Sequence, residues 1–406
     1  MVPTPTPLLH AIATAVDTPT YVYDVDAFDA RIEQLRAALG DSDHHVCYAL
    51  KANDCLALIS ITAHAGFGAD VVSAGEMLKA LRGGVLPTDI VFSGVGKRRD
   101  EIALAIEVGV KSLNAESAQE LDVIADEARA QNTVARVGVR LNPDVAADTH
   151  EYIATGSGGA KFGVPPEEAY ELLLRAERDP NLEPLALSFH IGSQIFDPAQ
   201  VFEAADRAAA IWRDAREAGV KLRDFDVGGG LGVAYMGEDE PDLNAYVDRL
   251  TSVAADLGAT LVLEPGRWLV APIGTLLTRV LYTKDVSGRR IAICDAGMTE
   301  LIRPALYGAE HPFTVLGDES GRPSGVVDLV GPICESGDFL AKGREGALPE
   351  PGDLIAIGFA GAYGRVMASH YNARPTIPEV LVEQGEWRVV RDRGVIDDLL
   401  DGERAS

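Results

Sequence analysis

The chain is predicted to fold as an α/β protein: a (β/α)8 barrel of the TIM type plus a C-terminal, mainly antiparallel β domain. Three observations predict this. Over the first two-thirds of the 406 residues, a short β-branched or apolar run, a polar or glycine stop and a helical stretch recur eight times, as in sheets built from βα units. Each run ends in residues with chemistry to offer. After Arg267 helical spacing becomes scarce, and short β-rich runs alternate with Gly and Pro turns, the pattern of antiparallel sheet.

In order, the barrel runs are residues 46–50, 68–72, 89–92, 111–113, 137–141, 185–189, 224–227 and 260–263. Between them lie amphipathic stretches such as 117–129 and 167–178, with apolar residues at helical spacing. An open doubly wound sheet is the competing fold, but it usually has fewer strands. It would also carry a dinucleotide loop after its first strand, where this chain has Lys51-Ala52-Asn53. The barrel is expected over residues 26–270, and the β domain over 1–25 and 271–406. In the β domain the runs are 274–282, 290–293, 325–329, 353–357, 379–382 and 386–390. The early Thr20-Tyr21-Val22-Tyr23 can join that sheet, and the tail 397–406 reads as a frayed helix.

Composition excludes several classes of function. A net charge of -26 argues against nucleic acid or an anionic membrane as partner. No run approaches the length of a membrane span, and the first residues lack the basic start and apolar core of a leader. The four cysteines (Cys47, Cys55, Cys294, Cys334) form no CxxC pair, and the eight histidines include no HxH or HExxH. Neither a metal site nor a disulfide framework is indicated, and a reduced cytoplasm is the expected compartment.

The strand ends carry the chemistry. Lys51 closes the first run, at the rim where parallel α/β folds place reactive groups. Desolvation there would yield a neutral amine able to form a Schiff base, the plainer alternative being a lysine that snorkels to solvent. Asp70 and Ser73 follow at the second run, and Arg140 with Asn142 at the fifth. The sixth ends in His190-Ile191-Gly192-Ser193-Gln194, the seventh in Gly228-Gly229-Gly230-Leu231-Gly232 and the eighth in Glu264-Pro265-Gly266-Arg267. The glycines make either a tight turn or a phosphate cradle, and phosphate commonly binds after strands seven and eight of a barrel. His190 is either a core histidine or a ring for a flat cofactor to stack on. Glu264 is either a partner for a cation such as Arg267 or the carboxylate that keeps a pyridine nitrogen protonated. Lysine, cradle, ring and carboxylate together describe pyridoxal 5'-phosphate (PLP).

The β domain adds Cys334-Glu335-Ser336-Gly337-Asp338, Gly361-Ala362-Tyr363-Gly364, the 367–372 stretch, and Arg303-Pro304-Ala305-Leu306-Tyr307. Each serves either loop packing or ligand contact; Arg303 with Tyr307 suits a substrate carboxylate.

Taken together, Tyr48-Ala49-Leu50-Lys51-Ala52-Asn53 and the segments just quoted resemble the fold-type III PLP-dependent decarboxylases. The likeness runs over nearly the whole chain, and the Cys-Glu-Ser-Gly-Asp run points to the branch acting on diaminopimelate. Asp54-Cys55 and His370 depart slightly from the family pattern. The resemblance implies an alanine-racemase-like barrel working as a homodimer with shared active sites. It implies decarboxylation of meso-2,6-diaminopimelate to L-lysine and carbon dioxide, the last step of lysine biosynthesis. Lys51 would bind the cofactor covalently, with His190 on the ring, Glu264 at the pyridine nitrogen and Asp70 close by. Ser193, Gly229, Gly230, Gly266 and Tyr363 would surround the phosphate. Arg267, Arg303, Tyr307, Glu335 and Tyr363 would bind substrate, and Cys334 of the other chain would return the proton. The rival expectations are a decarboxylase of ornithine, arginine or carboxynorspermidine, a racemase on the same barrel, and a homologue that has kept the fold without activity.

Overall fold

The computed structural model describes residues 2–145, 155–156, 161–317 and 321–404. The chain divides into two compact units: Ile32–Val233 with Glu240–Trp268, and Met1–Arg31 with Ala234–Asp239 and Leu269–Ser406.

Chain order opens with helix α1 (Thr6–Val16), strand β1 (Thr20–Asp24) and helix α2 (Val25–Leu39). Eight parallel strands then close into a barrel: β2 (His44–Ala49), β3 (Gly68–Val71), β4 (Ile90–Phe92), β5 (Ser112–Ala115), β6 (Ala135–Arg140), β7 (Leu182–Ser188), β8 (Asp224–Asp226) and β9 (Thr260–Leu263). Closure is made by β2 on β9, where His44, His45 and Val46 pair with Leu261, Val262 and Leu263. The helices between the strands are α3 (Leu56–His64), α4 (Ala74–Arg82), α5 (Arg99–Val108), α6 (Ala118–Ala130), α7 (Pro166–Arg178), α8 (Ala199–Glu217) and α9 (Leu243–Leu257). Local chemistry fixes where they start and stop. Ser73 caps α4 by accepting the Glu76 N–H, and Ser117 caps α6 by accepting that of Glu120. Each glutamate reaches back to the backbone N–H just before its cap, at Val72 and Glu116.

The strands bury both faces, so most read as apolar runs, as parallel sheet requires. Where the sequence blurred their limits, polar residues are the reason. β5 carries Ser112 and Asn114, both buried, and β7 begins at Leu182, ahead of Glu183 and Pro184. Lys51 is not on the strand itself: Leu50–Ala52 forms one 3-10 turn directly after β2.

The second unit is one nine-stranded sheet. Its main path runs β14 (Phe339–Ala347), β13 (Ser324–Val330), β11 (Arg289–Cys294), β10 (Gly274–Val286), β1, β16 (Glu379–Glu383) and β17 (Glu386–Arg391). Off this path, β15 (Leu354–Ile357) pairs with β10 and with β12 (Phe313–Leu316). Most pairings are antiparallel; β1 with β16 and β11 with β13 are parallel. The helices here are short, α10 (Arg267–Val270) at the unit boundary and α11 (Arg303–Tyr307). The tail ends in a single 3-10 turn, Ile396–Leu400. The segment Ala234–Asp239 belongs to this unit through Tyr235, whose ring meets His311 edge-on and lies beneath the Arg303 guanidinium.

Candidate active site

In the barrel the strand ends converge on Lys51. Its Nζ donates to Asp70 Oδ2 at 2.8 Å, and the Asp70 side chain is fully buried. An ammonium held this way is oriented inward rather than trailing into solvent. On α4, Glu76 sits near the pair; burial pushes its carboxyl up to about 7, with Asp70 adding to the rise and the Val72 N–H and Lys51 opposing it.

The loops after β7 and β8 meet at His190. The Gly229 N–H donates to its Nδ1 at 3.3 Å, which fixes the ring plane. Burial first, then the charges of Lys51 and Arg140, hold the imidazole well below its usual pKa, so it is neutral. Glycine is required at 229 on grounds of space, since a Cβ there would overlap the Glu264 carbonyl oxygen. Gly230 has φ +118, a conformation L side chains rarely adopt, and its carbonyl accepts the Ile195 N–H. Gly266 packs its bare Cα against Ala49 and Ala52, on either side of Lys51.

Glu264, after β9, is buried, and its Oε1 has no hydrogen-bond partner among the described residues. Burial raises its pKa well above the carboxylate range, and Asp226 and Asp70 raise it further. A buried acceptor without a partner among the described residues, on a residue that follows a barrel strand, suits a donor from outside the chain, such as a protonated pyridine nitrogen. Beyond it, Arg267 donates from Nε and Nη2 to Ser193 Oγ at 3.1 and 3.0 Å. The residues expected around a phosphate are thus in contact with one expected to touch substrate.

Two features of the mouth were not assigned from sequence. Arg140, seen only as a polar stop, pairs with buried Glu116 at 2.9 Å, and Glu116 also accepts the Gly94 and Gly163 N–H groups. Asp226 on β8 hydrogen-bonds to Glu264, and burial raises its carboxyl to about 7 against the pull of the Gly228 N–H. An acid between apolar Phe225 and Val227, just before the glycines, was the available signal.

In the β unit, Arg303 is buried with Nη1 2.8 Å from His311 Nε2 and its guanidinium 4.6 Å from the Tyr235 ring centroid. Tyr307, one turn on, is half-buried. Cys334 is an exposed free thiol. Its loop is held by Asp338, whose two oxygens accept the Met298 and Ile333 N–H groups at 2.6 Å each. Gly297 and Gly331 leave room for that carboxylate. The Cys334 N–H donates to Asn372, and Glu335 is hydrogen-bonded to the Tyr371 hydroxyl. Tyr363 has φ +54, a sparsely populated conformation for a non-glycine residue that marks functional loops. Among the described residues no cluster of His, Cys, Asp or Glu is arranged to hold a metal ion, and no helix is long and apolar enough to cross a membrane.

Residues 25–271 match the family described as pyridoxal-dependent decarboxylase, pyridoxal binding domain. A curated diaminopimelate decarboxylase from Helicobacter pylori is 43% identical over 382 residues, which is 94% of each chain. One from Pseudomonas fluorescens is 43% identical over 403 residues, 97% of this chain and 95% of its own. A crystal structure of the H. pylori enzyme complexed with L-lysine superposes with a TM-score of 0.93 at 41% identity, over 96% of this chain and 98% of that one.

Proposed function

The chain belongs to the diaminopimelate decarboxylases, within the pyridoxal-dependent decarboxylases, and on that premise we propose that it removes carbon dioxide from meso-2,6-diaminopimelate to leave L-lysine. The observation that carries this reading is the set Lys51, Asp70, His190 and Glu264 at one barrel mouth, in a chain of this identity to its relatives over nearly full length.

The residues at the mouth fit PLP. Lys51 would hold it covalently through Nζ, and neutral His190 would lie against the ring. Glu264 would accept from the ring nitrogen, which its orphaned Oε1 suits. Ser193, Gly229, Gly230 and Gly266, with Tyr363, would supply donors to the phosphate. Bound there, PLP would supply a cationic ring that takes up the electron pair left when carbon dioxide departs.

The chain's own groups do the rest. Asp70 orients the Lys51 side chain within the barrel mouth through the 2.8 Å contact of its Oδ2 with Nζ. Arg303 and Tyr307 grip a carboxylate, Arg267 and Glu335 the other polar groups of the end that does not react. Cys334 donates the proton from Sγ that replaces the lost carboxylate. We further propose that the working form is a homodimer in which Cys334 and Glu335 of one chain complete the site of the other.

Incubation with meso-diaminopimelate, with and without added PLP, tests the reading. Lysine and carbon dioxide should appear in equal amounts and depend on PLP. A folded, PLP-loaded protein that makes no lysine overturns it, and turnover of ornithine or arginine in its place would move the chain to the neighbouring branch.

A further inference from the structure

Glu264 does not stand alone in the barrel. Asp226, one strand away on β8, is 2% exposed and hydrogen-bonded to it. A second row of groups fixes Asp226 in turn. The Gly228 N–H donates to its Oδ1 at 3.0 Å, and the Asn114 amide, reaching over from β5, donates to its Oδ2 at 3.4 Å. Space for Asn114 comes from Gly138 on β6, where any Cβ would overlap the Asn114 carboxamide oxygen. The charged and titratable groups facing the pair are Asp70, Lys51, Arg140 and the Cys47 thiol. Two carboxyls in contact in a buried site cannot both ionise without large cost, so they hold a proton between them.

The two acids are not equivalent. Asp226 receives the backbone and amide donors, and is the better-supported anion. Glu264, at the end of β9 on the barrel mouth, keeps one oxygen without a donor among the described residues. We propose that Asp226 is a positioning residue that shares one proton with Glu264, so that the pair meets the cofactor's ring nitrogen as proton donor and counter-charge together. This rests on the PLP reading above. The step balances: one carboxyl O–H bond breaks and one ring N–H bond forms. The pair goes from one negative charge to two, and the ring nitrogen from neutral to positive. The Gly228 and Asn114 donors hold the second charge.

The consequence is a ring nitrogen that stays protonated to higher pH than one carboxylate would secure. The holoenzyme loaded with PLP labelled with 15N in the ring reads this directly, because the ring 15N chemical shift reports protonation. Across the pH range in which the protein is folded, the parent should remain protonated. Asp226→Asn should lose the proton at least one pH unit lower, and Asp226→Glu should recover part of the shift. A role in packing alone would lower melting temperature or PLP affinity and leave the 15N titration where it was; that result overturns the proposal. If Asp226→Asn does not fold, carboxyl 13C resonances of the unsubstituted cofactor-free chain decide. One proton retained by the pair at pH 6 supports the proposal, and two ionised carboxylates at pH 6 overturn it. Either failure leaves the lysine-forming assay untouched, so the two readings fail separately.

Discussion

At the scale of single residues, the site divides into groups whose roles follow from surroundings and groups whose roles follow from family. Lys51, His190 and Glu264 are of the first kind, because pairing, burial and an oxygen unpartnered among the described residues suit each to a distinct task in the proposed chemistry. Cys334 is of the second: an exposed free thiol, it was legible only through the Cys-Glu-Ser-Gly-Asp run. Cys334→Ala should therefore lower kcat by roughly 10²–10⁴, the usual worth of a general acid, with KM little changed; lysine release at several substrate concentrations separates the two. Glu76 gives a test that needs no substrate. Burial raises its folded pKa from 4.5 to about 7. A group raised in this way contributes stability that is complete below about pH 4.5 and is lost as pH rises through about 7. Glu76→Gln, which still accepts the Val72 N–H, should gain in melting temperature relative to the parent between pH 5 and pH 8. A constant difference across that range would mean Glu76 is ionised at both ends. Asp226 was missed for a physical reason: an acid closing a three-residue strand reads as an ordinary polar stop until its burial and its bonds to Gly228 and Asn114 are seen.

At the scale of elements, periodicity revealed the barrel because parallel strands buried on both faces must be apolar. The same rule explains what it hid. β14 reads Phe-Leu-Ala-Lys-Gly-Arg-Glu-Gly-Ala, and a sequence so charged and glycine-rich has no strand alternation to find. It pairs with β13 only through two register shifts, near Gly343, whose φ is +63 and whose N–H goes to Asp328. Nor does β12, four residues long, offer enough pattern. The glycine loop after β8 was recognised by position, yet which glycine matters was decided by packing. Gly229→Ala forces a methyl onto the Glu264 carbonyl, and backbone cannot yield as a side chain does. The loop would have to leave both His190 and Glu264. We expect a loss of roughly 1–3 kcal/mol, the range for overpacking, and a PLP affinity at least tenfold weaker, read from the absorbance of the bound cofactor. Gly237→Ala, with open space around it but φ +93, supplies a control in which strain acts without a clash at the site.

For the molecule as a whole, the proposed dimer is testable by mixing. Lys51→Ala and Cys334→Ala should each be inactive or nearly so alone. If each site draws on two chains, random reassociation makes half the dimers mixed, and each mixed dimer carries one intact site. Recovered activity should approach about a quarter of the parent's. Subunits that exchange, as mass-labelled chains would reveal, without any recovery would refute the shared site. The two units also differ in how they draw on the chain, and this bears on how the protein comes to exist at all. Every strand of the closed barrel lies between His44 and Leu263. β1, in contrast, takes its antiparallel neighbour from residues starting at Gly274 and its parallel neighbour from Glu379 onward. A nascent chain that has cleared the ribosome as far as Leu263 holds a complete barrel and a single strand of the sheet. The strand made first must then wait, both edges open to misplaced pairing or to a chaperone, for almost the last one made. Only then is the sheet that carries Cys334 secure. A chain released only as far as Leu263 displays Lys51 but not Cys334, and so holds half of the chemistry proposed above.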